Sequence, residues 1–138
     1  MTLSTTVTLI KGLHLQGVTP GGLTVEMDSK PAGTTPEGMT PMELILNAIA
    51  GCSAMDVITI LRKRLIPLDH FEIVVTGEKR EQHPRMYNSI TLVYRAKGEG
   101  LTVAEMERAA KLSLDNYCSV SAMLKPAVPI DFRCELIG

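Results

Sequence analysis

The stretch TPMELILNAIAGCSAMDVITILRKR, residues 40–64, decides how the chain is read. It opens as a helix: Thr40 stands at the cap, Pro41 takes the first helical position, and Glu43 completes the capping-box pattern three residues after the cap. Nothing interrupts the run until Pro67, so the reading predicts a helix from about Pro41 to near Arg64. At ~1.5 Å per residue such a helix is on the order of 35 Å long. Its apolar residues, among them Leu44, Ile45, Ile49, Val57, Ile60 and Leu61, lie all around the axis. A helix of that kind is either a membrane span or enclosed by protein. Glu43, Asn47 and Asp56 fall within the run and strand patterns flank it, which favours enclosure. One small domain does not wrap a helix of that length, so the expected assembly is a homodimer with no membrane involvement.

Working outward, residues 4–28 alternate small polar and apolar residues, punctuated by Gly12, Gly17 and the Pro20-Gly21-Gly22 turn, and read as short antiparallel strands. After the long helix, HFEIVVTGEKR and MYNSITLVYRAKG read as two strands. LTVAEMERAAKLSLDNYC reads as a helix capped by Thr102 with Glu105 three residues on, and PIDFRCELI as a last strand. The order β-β-β-α-β-β-α-β predicts an α+β fold with mostly antiparallel sheets, in one domain spanning residues 1–138. The mixed-sign, proline-bearing stretch at 78–85 reads as a solvated hairpin connection.

With 14 basic and 15 acidic residues the net charge is −1, and no cluster of Lys and Arg suggests a nucleic-acid partner. The first residues lack both the basic start and the unbroken apolar segment of a signal peptide, so a cytoplasmic location is expected, in which Cys52, Cys118 and Cys134 rest as thiols. His14, His70 and His83 are isolated, with no metal-ligand spacing; no metal and no cofactor are expected. Cys134 alternates with Ile130, Phe132 and Leu136 on one face of the last strand and reads as core packing.

Cys52 is the unusual thiol. It lies twelve positions beyond Thr40, outside the reach of the helix dipole, among Ala50, Gly51, Ser53 and Ala54. Read alone it is a small core residue, yet such small neighbours also leave room for a ligand. Asp56, four residues further on, shares its helical face and is placed to take a polar contact or to meet Arg62 or Lys63 of either subunit. Cys118, in NYCSVSAML, stands where Ser119 or Ser121 could cap a short further helix.

Taken together, the helix opening with its internal cysteine and the Tyr-Cys-Ser-Val segment resemble the OsmC/Ohr family of thiol peroxidases, in particular its OsmC-like redox branch, over nearly the whole chain. The resemblance implies an intertwined homodimer with long central helices between the sheets and sites at the subunit interface. It implies further that Cys52 attacks the O–O bond of a small hydrophobic hydroperoxide, that Cys118 resolves the resulting sulfenic acid as a disulfide, and that an external dithiol reductant restores both. Two thiols suit that chemistry, because an uncaptured sulfenic acid is open to over-oxidation.

One departure stands out. The family's peroxidases carry an arginine in the N-terminal strand region and a glutamate directly after the helix-opening proline. Here no arginine precedes Arg62, Met42 follows Pro41, and Glu43 comes one place later, rotated by about 100° around the helix. Lys11 and Lys30 are the cations available near the start, without the bidentate fork of arginine. The alternative reading is therefore a non-catalytic dimer that binds small apolar molecules at its interface.

Overall fold

A computed structural model describes residues 1–138 except Ala32. The chain forms two compact units, Met1–Ile45 and Leu46–Gly138. The predicted α+β class and element order hold, with one short helix added before the last strand.

In the first unit, β1 (Thr6–Lys11), β2 (His14–Val18) and β3 (Thr24–Met27) form an antiparallel meander. Gly12 and Leu13 make the tight β1–β2 connection, and Gly12 sits at φ +58, the left-handed region in which a side chain would be strained. His14, expected to stand alone, reaches Glu26 across the strands at 2.7 Å. Asp28 is buried after β3 and closes the following loop: its carboxylate accepts from the amides of Ser29 and Glu37. The chain then returns beside β3, where Met39 pairs with Met27. Gly38 makes this possible, since a Cβ there would lie 2.5 Å from the backbone of Glu26. Every residue of β1 is exposed, including Val7, Leu9 and Ile10.

Helix α1 runs Pro41–Lys63, as the caps predict. Both halves of the capping box form, with the Thr40 amide donating to Glu43 Oε1 at 2.9 Å and the Glu43 amide to Thr40 Oγ1 at 3.2 Å. The helix is long and apolar enough to cross a membrane, and one face of it is buried. The buried stripe is Ile49, Ser53, Val57 and Leu61, at i, i+4, i+8 and i+12. The other faces are covered less, and Met55 is 73% exposed.

The second unit is built on a three-stranded sheet in the order β4 (His70–Lys79), β5 (Tyr87–Lys97), β6 (Ile130–Leu136). The hairpin β4–β5 is antiparallel and its connection is exposed, as expected. The β5–β6 pair is parallel, which a crossover through the intervening helices permits. The period-2 series Ile90, Leu92, Tyr94 and Ala96 on β5 is buried, as are Met106, Ala109 and Ala110 on α2 (Val103–Leu112). Each large side chain buried here contributes roughly 1.5–3 kcal/mol.

Two expectations need correction. The sequence pattern predicts a second helix continuing to Cys118; instead α2 ends at Leu112 and the chain widens into a π turn over Ser113–Tyr117, closed by the Cys118 amide donating to Ser113 O at 2.7 Å. Its capping box is also only half formed. Thr102 accepts from the Glu105 amide, but the Glu105 carboxylate turns to Arg64, 2.6 Å away, a charged partner that outcompetes the cap amide. Helix α3 (Ser119–Leu124) then leads toward β6.

Candidate functional site

The π turn ends at the site's second thiol, Cys118. By pushing one extra residue into the last turn, it brings the chain out at Cys118 with extended backbone (φ −70, ψ 103) instead of a further helical position. Cys118 then caps α3 itself, its Sγ accepting from the Ser121 amide at 3.3 Å, where Ser119 or Ser121 had been the expected caps. Ser121 is turned the other way, donating to the Cys118 carbonyl at 3.0 Å.

This placement sets Cys118 against α1. The sulfurs of Cys52 and Cys118 and a carboxylate oxygen of Asp56 all lie within 4.8 Å of one another. Both cysteines are free thiols, Cys52 half-buried and Cys118 only 2% exposed. Burial pushes the Cys118 thiol up, and contact with Cys52 adds to the shift while the Ser121 amide opposes it. Cys52 and Asp56 share a face because they stand four residues apart on α1.

Asp56 meets neither Arg62 nor Lys63. Its partner is Ser113, whose Oγ donates to Asp56 Oδ2 at 2.8 Å. Ser113 in turn lies 2.8 Å from Ser53 Oγ, and Ser53 lies 2.6 Å from the Tyr94 hydroxyl. Each hydroxyl has one proton, so the carboxylate fixes the whole chain: Tyr94 donates to Ser53, Ser53 to Ser113, and Ser113 to Asp56. Ser53, Ser113 and Tyr94 are fully buried, and burial drives the Tyr94 hydroxyl well above the usual tyrosine range. The sequence reading missed these three. A serine on the buried stripe of α1 was the available clue, because a buried hydroxyl needs a partner.

Asp56 also borders a cleft of about 570 Å³ shared with Ile60, Lys63, Arg108, Leu112 and Tyr117. Arg64, at its rim, is engaged by Glu105. Lys30, one of the cations considered for the thiols, is occupied within its own unit by Asp28 and Glu37, each 3.9 Å away, and by the Thr35 carbonyl.

Cys134 stands apart from this group. It is half-buried on β6, paired in register with Tyr94, and burial pushes its thiol up to about 12. The inward face of β6 is less complete than its alternation suggested, since Leu136 is exposed. His70 bonds Glu72 at 2.7 Å and takes no part.

An α+β chain that draws two free cysteines together beside a carboxylate defines a dithiol protein. Comparison with known proteins places it further. The family model described as OsmC-like protein matches residues 32–133, so the chain belongs to the OsmC-like family. Protein YhfA of Escherichia coli K12 is 36% identical over 129 residues, 94% of each chain. A hypothetical protein from Aquifex aeolicus superposes with TM-score 0.84 at 30% identity, covering 100% of this chain and 99% of that one. The organic hydroperoxide resistance protein OhrB of Bacillus subtilis shares the fold at TM-score 0.64 and 18% identity, with 98% of each chain covered.

Proposed function

We propose that the chain reduces organic hydroperoxides with the Cys52–Cys118 pair. The observation that carries this reading is the approach of the two sulfurs to within 4.8 Å of each other. Cys52, the more exposed thiol, attacks the terminal oxygen of the hydroperoxide: its sulfur loses two electrons and becomes a sulfenic acid, the O–O bond breaks, and the alcohol leaves with the second oxygen. Cys118 then attacks the Cys52 sulfur, the S–S bond forms, and the sulfenic hydroxyl departs with the Cys118 proton as water. An external dithiol returns both thiols. Burial of Cys118 suits a resolving role, since a thiol held neutral is a poor first nucleophile, and its closeness to Cys52 favours capture of the sulfenic acid as its proton leaves with the departing water.

The working form in this reading is a homodimer. The uncovered apolar residues of α1, with Met55 foremost, and those of β1 are the surfaces that a second copy would bury. Replacing Cys118 with Ser tests the order of steps: peroxide should then leave a sulfenic acid on Cys52 that a dimedone-type probe traps. Trapping at another thiol, or none, overturns the assignment.

One observation favours the ligand-binding reading. A carboxylate oxygen of Asp56 lies within 4.8 Å of both sulfurs, where an activated thiol calls for a cation instead. In that case the dimer binds small apolar molecules at the subunit interface and the thiols stay reduced.

A further inference from the structure

The geometry points to a second use of the same cluster: Cys52, Asp56 and Cys118 form a three-ligand site for a thiophilic divalent cation, of which zinc is the type. Two thiolates and a carboxylate are a ligand set that zinc accepts, with the fourth position left to water. Around a tetrahedral zinc, bonds of ~2.3 Å to sulfur hold two sulfurs roughly 3.8 Å apart. The three donor atoms already lie within 4.8 Å of one another, so small side-chain rotations close them on an ion.

Ser113 donates to Asp56 Oδ2 and so holds that carboxylate as an acceptor beside the two sulfurs. A divalent cation completes the group. It binds as two S–H bonds break, two sulfur–metal bonds form and two protons leave to solvent, with no change of oxidation state.

The surroundings are those of a built site. Ser113 donates to Oδ2 of Asp56, a carboxylate that has a second oxygen to offer, and Ser113 is itself fixed by Ser53 and Tyr94. The Ser121 amide donates to Cys118 Sγ, a bond that a thiolate accepts more strongly than a thiol. Such outer contacts orient ligands and tune affinity. Asp56 also lines the cleft that it shares with Ile60 and Leu112, so one ligand of the group borders open space.

Metal binding and peroxide reduction use the same sulfurs and exclude each other, yet neither requires the other. The test is a Zn²⁺ titration of the reduced full chain in competition with a chromophoric chelator, with Co²⁺ as spectroscopic probe. One ion per chain is expected, with thiolate-to-cobalt charge transfer. Cys52→Ser and Cys118→Ser should each weaken binding by more than the roughly 10–100-fold that outer contacts cost, and Asp56→Asn should weaken it by at least about 10-fold. Thermal melts verify that each variant is folded. Ser113→Ala, which frees Oδ2 without removing a ligand, should weaken binding within the same 10–100-fold range and serves if Asp56→Asn does not fold. Failure of the wild-type chain to compete for Zn²⁺, or binding undiminished when both cysteines are serine or when Asp56 is Asn, overturns the site. The metal-free chain is treated with peroxide in parallel. Disulfide without metal binding sinks this inference alone, and metal binding without disulfide supports it while sinking the peroxidase.

Discussion

The hydroxyl of Tyr94 on β5 and the hydroxyl of Ser53 on α1 lie 2.6 Å apart with both side chains buried, and this bond anchors a relay that ends on the carboxylate next to the thiols. Its direction is set from the carboxylate end. Removing the Tyr94 hydroxyl therefore leaves Ser53 without its donor while the rest of the ring packing stays in place. Tyr94→Phe should cost about 1–3 kcal/mol in denaturant unfolding, the range for a buried polar group left unsatisfied. A change under a few tenths would show that the relay is not a structural element.

Asp28 makes the first unit sensitive to acid. The Glu37 amide, and after it that of Ser29, holds the Asp28 carboxyl below its ordinary value. A lowered folded pKa means the stabilisation is fully present above the unfolded value of ~3.9 and is lost as pH falls through the folded one. Hydrogen exchange at the Glu37 amide should accelerate over that acidic window relative to the intrinsic rate. In Asp28→Asn the protection should show no such titration.

Cys134 provides a control on the thiols. With its pKa near 12 it should resist alkylation at neutral pH in the folded chain. Cys134→Ala should lower stability by about 1 kcal/mol, since the side chain is only half-buried, and leave any peroxide-driven loss of the other two thiols intact. Selective loss of that chemistry in the folded variant would reassign the pair.

The homodimer is testable at one position. Met55 is among the most exposed apolar residues of α1, so a charge there should be tolerated by the fold and not by an interface. Wild-type chain should sediment at twice the chain mass at micromolar concentration, and Met55→Glu should shift it to the monomer. A wild-type monomer would remove the dimer from the account.

Much of this fold could be read from local chemistry. Thr40, Pro41 and Glu43 announce α1, and the cap forms as written, because a capping box needs only four consecutive residues. Thr102 and Glu105 repeat the pattern, but Arg64, 41 positions away, takes the carboxylate; a long-range ion pair leaves no trace in a four-residue window. Likewise the alternation of β6 marks a strand but carries no information on direction, so its parallel pairing with β5 emerges only from the crossover. At the site, Cys52 and Cys118 were legible as residues and Asp56 as a neighbour on the helix. The π turn that delivers Cys118 was not, because it depends on how Ser113 is buried and bonded, 57 positions from its partner Asp56.

The central claim is that Cys52 and Cys118 act as a redox pair, and peptide mapping tests it most directly. Reduced, metal-free wild-type chain treated with one equivalent of cumene hydroperoxide should lose two thiols and yield a peptide pair joined through Cys52 and Cys118, with Cys134 still reduced. Thiols that remain fully reduced under peroxide from neutral pH to about 9, the range in which an ordinary cysteine ionises, would contradict it.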